Sequence, residues 1–380
     1  MVSSNVKILD AVRAGGNQYS KKEIAIETGL PWGTMHKAVE ALLDADILIA
    51  HKGSKPVSAG RPSVPLCINT EAAYWCGIDI GAQSTRLVFC DLNFNPFYRN
   101  CIQTEPYSNN ERFLDWLSGF YIDSLSESRC DRNRIRGIGL AVSGNVDSEA
   151  GIIVSGGNFG IKYGENIDLG PFQAKAGIPV FAVSTQNAAA CAEYNFGRRA
   201  HCPNLVTIGL GVGIGSGVIA NHQLLISHPR HPIGYIGHIL IPGNNHKCTC
   251  GFTGCLEAYS GSKFLKSVAM EELPDRIALH SAAALDRAAA NGDPDSIRIM
   301  NTAASYNAAG IAAMIQLYNP ESLIFSGGQV RHDGYLYQRT LECLKQILPP
   351  ERRSCDISIT VLGEYQSAMG GARLAFERFF

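Results

Sequence analysis

Two stretches of the chain follow one plan: an apolar strand, a tight turn rich in glycine, and a second apolar strand. The first is YWCGIDIGAQSTRLVFCDLNFNPF from residue 74, with its turn through Gly81 and a further turn at Asn93 to Pro96 that leads to a third strand. The second is NLVTIGLGVGIGSGVIANHQLLI from residue 204, where Ile208 to Leu210 and Gly217 to Ala220 read as the strands. A strand–turn–strand plan that recurs far along the chain marks a duplicated unit, so the sequence predicts an α/β body of two similar lobes. Between the two stretches lie helices at 111–128 and 187–196 and strands at 137–142 and 179–183. A mainly helical region follows over 256–318, then a strand at 322–326, Gly327-Gly328, and a last helix from about Ser367.

Before residue 70 the hydrophobic period is different. Ile8, Leu9 and Val12 share one side of a short helix that stops at Gly15-Gly16. Ser20 and Glu23 form a capping box for a second helix, which Gly29-Leu30-Pro31 breaks before a third begins. The third helix turns Met35, Val39, Leu42 and Leu43 inward and presents Trp32, Thr34, His36, Lys37 and Glu40 outward, groups suited to base edges and phosphates. The segment ILIAHKGSKPVSAGRPSVPLCIN then reads as strand, Gly/Ser/Pro loop and strand, which after a helix-turn-helix makes a wing carrying Lys52, Lys55 and Arg61. An arginine held out between Gly60 and Pro62 suits a narrow minor groove, where the negative potential is strongest. The alternative for this region is a three-helix protein-interaction module.

Composition limits the partners. With 380 residues the chain is long for one compact domain and predicts two to three packed units: 1–70 as a winged helix-turn-helix, 71–185 as a first lobe, and 186–380 as a second lobe whose last helix returns to the first. The 33 Lys+Arg and 34 Asp+Glu nearly cancel, so a wholly basic nucleic-acid coat is excluded and any DNA contact must be local. No run of about 18 apolar residues occurs, and the start has helical periodicity instead of a signal-peptide pattern, so a soluble cytoplasmic protein without membrane contact is expected. Most of the 12 cysteines, such as Cys67, Cys76, Cys90, Cys101 and Cys191, stand singly inside apolar runs and read as reduced core thiols.

Cys248, Cys250 and Cys255 are the exception. With His238 they bring three sulfurs and one imidazole within 18 residues, and Gly251 and Gly254 let the loop fold back. Such a set can close a tetrahedral Zn2+ site with no open coordination position, which makes the expected metal structural. The bland reading is a loop of free thiols beside a core histidine.

Seven motifs in order carry a specific resemblance: GIDIG (77–81), GLAVSGNVD (139–147), NAAA (187–190), GVGIGSG (211–217), GYIGH (234–238), CTCGFTGCLE (248–257) and SGG (326–328). On these the chain resembles the ROK family, in which repressors, uncharacterised frames and sugar kinases share a two-lobed, actin-like and ribonuclease-H-like ATPase fold. An N-terminal winged helix on such a body resembles the repressor branch. The resemblance implies that the zinc loop shapes a sugar pocket, and that in a competent kinase the glycine-rich turns at 77–85 and 209–217 cradle phosphates while Asp79 faces Mg2+.

Several residues depart from the kinase pattern. The Gly-Gly-Thr-Lys of family kinases is replaced around Gly81-Ala82-Gln83-Ser84, and Val212 stands where a threonine hydroxyl would serve phosphate. Family kinases carry an Asn-Asp pair two residues before the NAAA stretch, the Asp acting as general base toward the sugar hydroxyl. This chain has Ser184-Thr185 there, and no Asp or Glu lies between 168 and 193 to take the role. Tyr235 replaces the Glu of family sugar binders, so the pocket is expected to be altered. Asn158 and His238 match the family's polar contacts, and Ser143, Ser184, Thr185 and Glu257 are further candidates around an effector. For Ser143 and Ser184 a capping or turn role is an equal alternative.

The expected function is a DNA-binding regulator, a repressor of carbohydrate-related genes, that binds a double-stranded operator and is controlled by a sugar or sugar derivative held between the lobes. No kinase activity is expected. Operator logic and the family imply a homodimer or homotetramer. The other readings are a sugar kinase with a DNA-binding appendage, and a constitutive DNA-binding protein with a dead pocket.

Overall fold

A computed structural model describes residues 3–50, 64–107, 109–155, 165–226 and 233–380. Lys52, Lys55, Arg61 and Asn158 lie outside the described residues.

The N-terminal unit is built from α1 (Ser4–Ala14), α2 (Lys21–Thr28), α3 (Trp32–Asp44) and an antiparallel pair, β1 (Leu48–Ala50) and β2 (Leu66–Ile68). Local sequence sets each helix end. Ser3 accepts the Val6 N–H at 3.2 Å, Ser20 and Glu23 exchange hydrogen bonds as a capping box, and Gly29 ends α2 with φ of 62°. Val6, Ile8, Leu9, Val12, Ile24, Met35, Val39 and Leu42 are buried together, so the inward faces read from the sequence are the ones that pack.

The body begins with β3 (Tyr74–Ile80), β4 (Ser84–Cys90), β5 (Pro96–Gln103), α4 (Asn110–Ser128) and β6 (Ile135–Val142). A small antiparallel sheet follows, made of β7 (Asn145–Asp147), β8 (Ile152–Ser155) and β9 (Glu165–Asp168), then α5 (Gly170–Ala176), β10 (Val180–Ser184) and α6 (Thr185–Phe196). The second half carries β11 (Leu205–Leu210), β12 (Ile214–Ala220), β13 (Gln223–Leu224), α7 (Glu257–Ser260), α8 (Ser262–Glu272), α9 (Ala282–Ala290) and α10 (Pro294–Tyr318). It closes with β14 (Ser322–Ser326), α11 (Tyr335–Ile347), β15 (Asp356–Ile359) and α12 (Gln366–Phe379).

The two large sheets have one topology. The first runs β10-β6-β3-β4-β5 and the second β15-β14-β11-β12-β13. In each, a leading strand pairs antiparallel with the strand that follows its glycine-rich turn and parallel with a strand that arrives after helices. The repeat read from the two strand–turn–strand stretches is thus a repeat of whole sheets. The expected division at 185/186 falls one residue inside α6, a helix that packs on α12, β11 and β12.

Strand bounds around the second turn need correction. Gly209, Gly215 and Gly217 lie inside β11 and β12 and serve close packing of α6 instead of the turn. A Cβ on Gly217 would stand 2.1 Å from the Gln186 carbonyl oxygen, and one on Gly209 2.2 Å from the Gln186 side chain. Helix α12 meets the first sheet in the same way: a Cβ at Gly77 would lie 1.8 Å from the Ala368 carbonyl oxygen, and one at Gly139 1.8 Å from that of Gly371. Gly139→Ala should therefore lower unfolding free energy by roughly 1–3 kcal/mol in urea denaturation. Gly119→Ala, in α4 with nothing within 4 Å of the new methyl, should instead raise it by about 0.5–1 kcal/mol.

Candidate functional site

Parallel pairing of β3, β6 and β10 lines up their C-terminal ends, and polar groups remote in sequence meet there. Asp79 comes from β3, Ser143 follows β6, and Thr185 opens α6 directly after β10. The Thr185 hydroxyl donates to Asp79 Oδ1 at 3.3 Å and shares a second 3.3 Å hydrogen bond with Ser143 Oγ. Asp79 is buried, and burial pushes its carboxyl up to about 6 against the opposing pull of Arg86, its partner in register on β4, and of the Thr185 hydroxyl. A carboxylate thus stands beside the position where the kinase base is missing. It is remote from residues 168–193 in sequence and arrives from the central strand, β3.

Above these strand ends lies a cavity of about 930 Å3. Its floor is formed by Asp79, the Gly81–Ser84 turn, Thr185 and Gln186; Gly211-Val212 and Gly327-Gly328 close it from the second sheet. Lys263 and Lys266 on α8 line it, as does Arg331, which pairs with Asp286 at 2.9 Å. The sequence reading singled out the glycine-rich turns but missed these cations, because neither α8 nor the loop that carries Arg331 holds a motif.

The other effector candidates take two positions. Ser184 is the N-cap of α6 and accepts the Asn187 N–H at 3.3 Å, so helix capping is the role its hydroxyl fills here. Glu257 is buried and accepts the Ile214 N–H at 2.7 Å, tying α7 to the start of β12. Tyr235 is 40% exposed and its ring lies 5.3 Å from that of His238, while burial of the phenol, with Glu257 adding, pushes its hydroxyl up to about 12. Among the described residues, no hydrogen bond or ring contact joins Ser184 and Thr185 to Tyr235, His238 and Glu257.

His238 belongs at the same time to a four-residue cluster. The ligating atoms of His238, Cys248, Cys250 and Cys255 all lie within 4.8 Å of one another. The His238 Nδ1–Cys248 Sγ and Cys250 Sγ–Cys255 Sγ separations are both 3.6 Å. Two thiolates at about 2.3 Å from a tetrahedral Zn2+ would stand about 3.8 Å apart, so the donors fit such an ion. The loop is held by backbone geometry: Gly251 and Gly254 have φ of 97° and 93°, Cys248 N–H donates to Phe252 O at 2.8 Å, and the Asn244 amide donates to Cys255 O at 2.7 Å. Burial pushes the Cys255 thiol up to about 12, with Cys250 and Cys248 adding to it. A divalent cation would reverse that by stabilising the thiolates.

On α3, Trp32, Thr34, His36 and Lys37 are all exposed, with the Trp32 and His36 rings stacked at 6.1 Å. Glu40, expected on the same outward face, is half-buried and is taken up by an ion pair with Lys21 and a 3.6 Å contact with His36. Glu40 is therefore paired and does not stand as a free carboxylate beside Lys37.

Comparison with known proteins adds four findings. The chain is 26% identical over 382 residues to the xylose repressor of Bacillus subtilis (strain 168), covering 99% of this chain and 95% of that one. It is 29% identical over 255 residues to a glucokinase of Thermotoga maritima, a match that covers 63% of this chain and 79% of that protein. The crystal structure of an ROK family transcriptional regulator, a homologue of the E. coli MLC protein, superposes with a TM-score of 0.79 at 25% identity over 98% of this chain and 96% of that one. The pattern that defines the ROK family matches residues 75–378, the whole body with both sheets, the Cys3His loop and α12. The chain belongs to the ROK family.

Proposed function

We propose that this chain is a sugar-responsive transcriptional repressor: residues 1–70 form a winged helix-turn-helix that reads an operator, and the two-lobed, actin-like body answers to a sugar or sugar derivative. The observation that carries this reading is the similarity to a repressor over 99% of the chain, where the glucokinase match covers 63%. The first lobe spans 71–185, and the second 186–380 with α12 returning to the first. The effector contacts are Asn158, Thr185, Tyr235, His238 and Glu257, with Ser184 as the cap that orients Thr185. Two heads on inverted half-sites make a homodimer or homotetramer the expected assembly. No helix of the described residues is long and apolar enough to cross a membrane, which fits action on DNA in the cytoplasm.

A sugar kinase with an appended head is the second reading, and the cavity beside Asp79 is the observation that favours it. Against it stand Thr185, which cannot serve as a base near neutral pH, and the loss of polar groups at Val212 and Gly81-Ala82. The unmodified chain should phosphorylate none of D-xylose, D-glucose or N-acetylglucosamine with ATP in a coupled assay. Turnover at rates typical of kinases would overturn the repressor-only reading.

In operator binding measured by fluorescence anisotropy, Thr34→Ala should change discrimination among operator variants. Lys37→Ala should weaken all sequences alike and reduce the salt slope by about one unit. Addition of D-xylose or another sugar of the panel to the wild-type complex should release the DNA.

Zn2+ held by His238, Cys248, Cys250 and Cys255 is proposed as structural, since all four positions of a tetrahedron are taken. Metal analysis of protein purified without chelator should return about one zinc per chain. Cys250→Ser should lower the melting temperature of the body while leaving head helicity in place, and a metal-free chain that is fully folded would refute the site.

Asp79 gives a pH dependence of definite sign. Its folded-state value of about 6 lies above the ordinary 3.8, so the folded chain keeps a proton that the unfolded chain releases between the two. The contribution of this group is full below about pH 4 and is lost as pH rises through about 6, a difference on the order of 3 kcal/mol. Asp79→Asn should remove that loss, so urea denaturation of variant and wild type should diverge between pH 4.5 and 7 in favour of the variant.

A further inference from the structure

Between the head and the body lies a polar cluster that neither DNA contact nor effector binding accounts for. Asp10 on α1 divides its two oxygens: Oδ1 takes Arg13 Nη1 at 2.5 Å and Oδ2 takes Arg373 Nη2 of α12 at 2.7 Å. Arg373 also reaches Glu377 at 3.0 Å, and its side chain is 4% exposed. Arg13 donates from Nε and Nη2 to the Leu92 carbonyl, at 3.1 and 2.6 Å, in the turn between β4 and β5. Both guanidinium groups lie over the rings of Phe94 and Phe376, at 5.0 to 5.5 Å. Two cations and two carboxylates are therefore matched inside an apolar junction, where a directional pair specifies one arrangement more sharply than apolar contact does.

Helix α12 links this junction to the cavity. It is 14 residues long, about 21 Å at 1.5 Å per residue. At its first turn Gln366 and Ser367 line the cavity, and the Gln366 amide donates to Glu193 of α6 at 2.7 Å. Its middle has no slack: a Cβ at Gly370 would stand 1.8 Å from the Ala188 carbonyl oxygen of α6, and the contacts of Gly77 and Gly139 are equally close. Its last turns carry Arg373, Phe376 and Glu377 to the head. Helix α6, packed against it, begins with Thr185 and Gln186 in the same cavity.

We propose that Arg373 is the positioning residue for the DNA-reading head, gripping Asp10 so that α12, seated with α6 on the cavity, carries α1 and with it α3 as one rigid piece. The proposal rests on the DNA-binding reading of the head. A movement of Thr185, Gln186 or Gln366 about a ligand is then delivered to the recognition helix through Arg373, because α1 packs on both α2 and α3. With the pair broken, the apolar part of the junction still holds the head near the body but no longer in one orientation.

The test uses the full chain. Duplexes enriched from a random pool by the wild type supply a half-site, which is placed in inverted repeats whose spacer grows one base pair at a time. Wild type should bind one spacing about tenfold more tightly than its neighbours, and Arg373→Met should shrink that contrast to about threefold or less with unchanged affinity for a single half-site. Arg373→Lys, which keeps the charge and loses the fork, should fall between them. Asp10→Asn removes the carboxylate from the half-exposed side and should repeat the Arg373→Met profile, which guards against a misfolded variant. A variant that keeps the wild-type contrast, or that loses affinity equally at every spacing, overturns the positioning role.

Hydrogen exchange without DNA separates this claim from the repressor reading. In Arg373→Met the amides of α1 and α3 should exchange about tenfold faster while those of β3 and β6 keep their protection. Unchanged exchange in the head overturns the proposal. Failure of the wild type to enrich any duplex would sink the repressor reading instead, and the exchange result would still decide whether Arg373 holds the head.

Discussion

Backbone laid directly on backbone is the constraint from which the arrangement of this protein follows. Gly77 in β3, Gly139 in β6 and Gly370-Gly371 in α12 leave no side chain between helix and sheet. Dispersion is strongest at such contact, and a single methyl has nowhere to go. The last helix of the chain is thereby seated on the first sheet, although its own neighbours in sequence belong to the second. The same device recurs where Gly217 meets the Gln186 carbonyl of α6. These two helices, packed on each other, join the sheets, carry polar groups into the cavity at one end, and reach the N-terminal head at the other.

The cavity departs from the pattern expected of a family kinase at Thr185 and Val212. Strand ends still converge, and Asp79 is still buried at the end of β3. Its donor, however, is the hydroxyl of Thr185, where a second carboxylate would be needed to take a proton from a substrate. Tyr235 turns a ring toward His238 where a carboxylate would grip two hydroxyls. A repressor's use for such a cavity is to turn ligand affinity into a shift between conformations.

Much of the fold was legible because it is written in short-range pattern. The capping box at Ser20 and Glu23, the break at Gly29 to Pro31, and the alternation of strand and glycine turn act over a few residues, and the structure keeps them. The Cys3His cluster was legible for the same reason, since three of its four residues sit in one tight loop. Other features left no local trace. Glycine inside a strand looks like glycine in a turn until a helix is laid on it, which is why β12 starts at Ile214 and not at Gly217. The strand β15 and the small sheet of β7, β8 and β9 escaped notice because each strand is three or four residues long.

By itself the sequence determined most of the longer helices and strands, that the body is a repeat, and which four residues can share a metal. Each of these rests on residues near one another along the chain or on the identity of one side chain. Only the tertiary structure decided what stands beside what: Asp79 beneath Thr185, Glu257 spent on the Ile214 amide, Ser184 spent as a helix cap, and Asp10 matched to Arg373 across nearly the whole chain. Such pairings depend on how two sheets and the helices between them pack in three dimensions. A hydrogen bond or ion pair made there leaves no period, spacing or composition bias for a reader of the sequence to find.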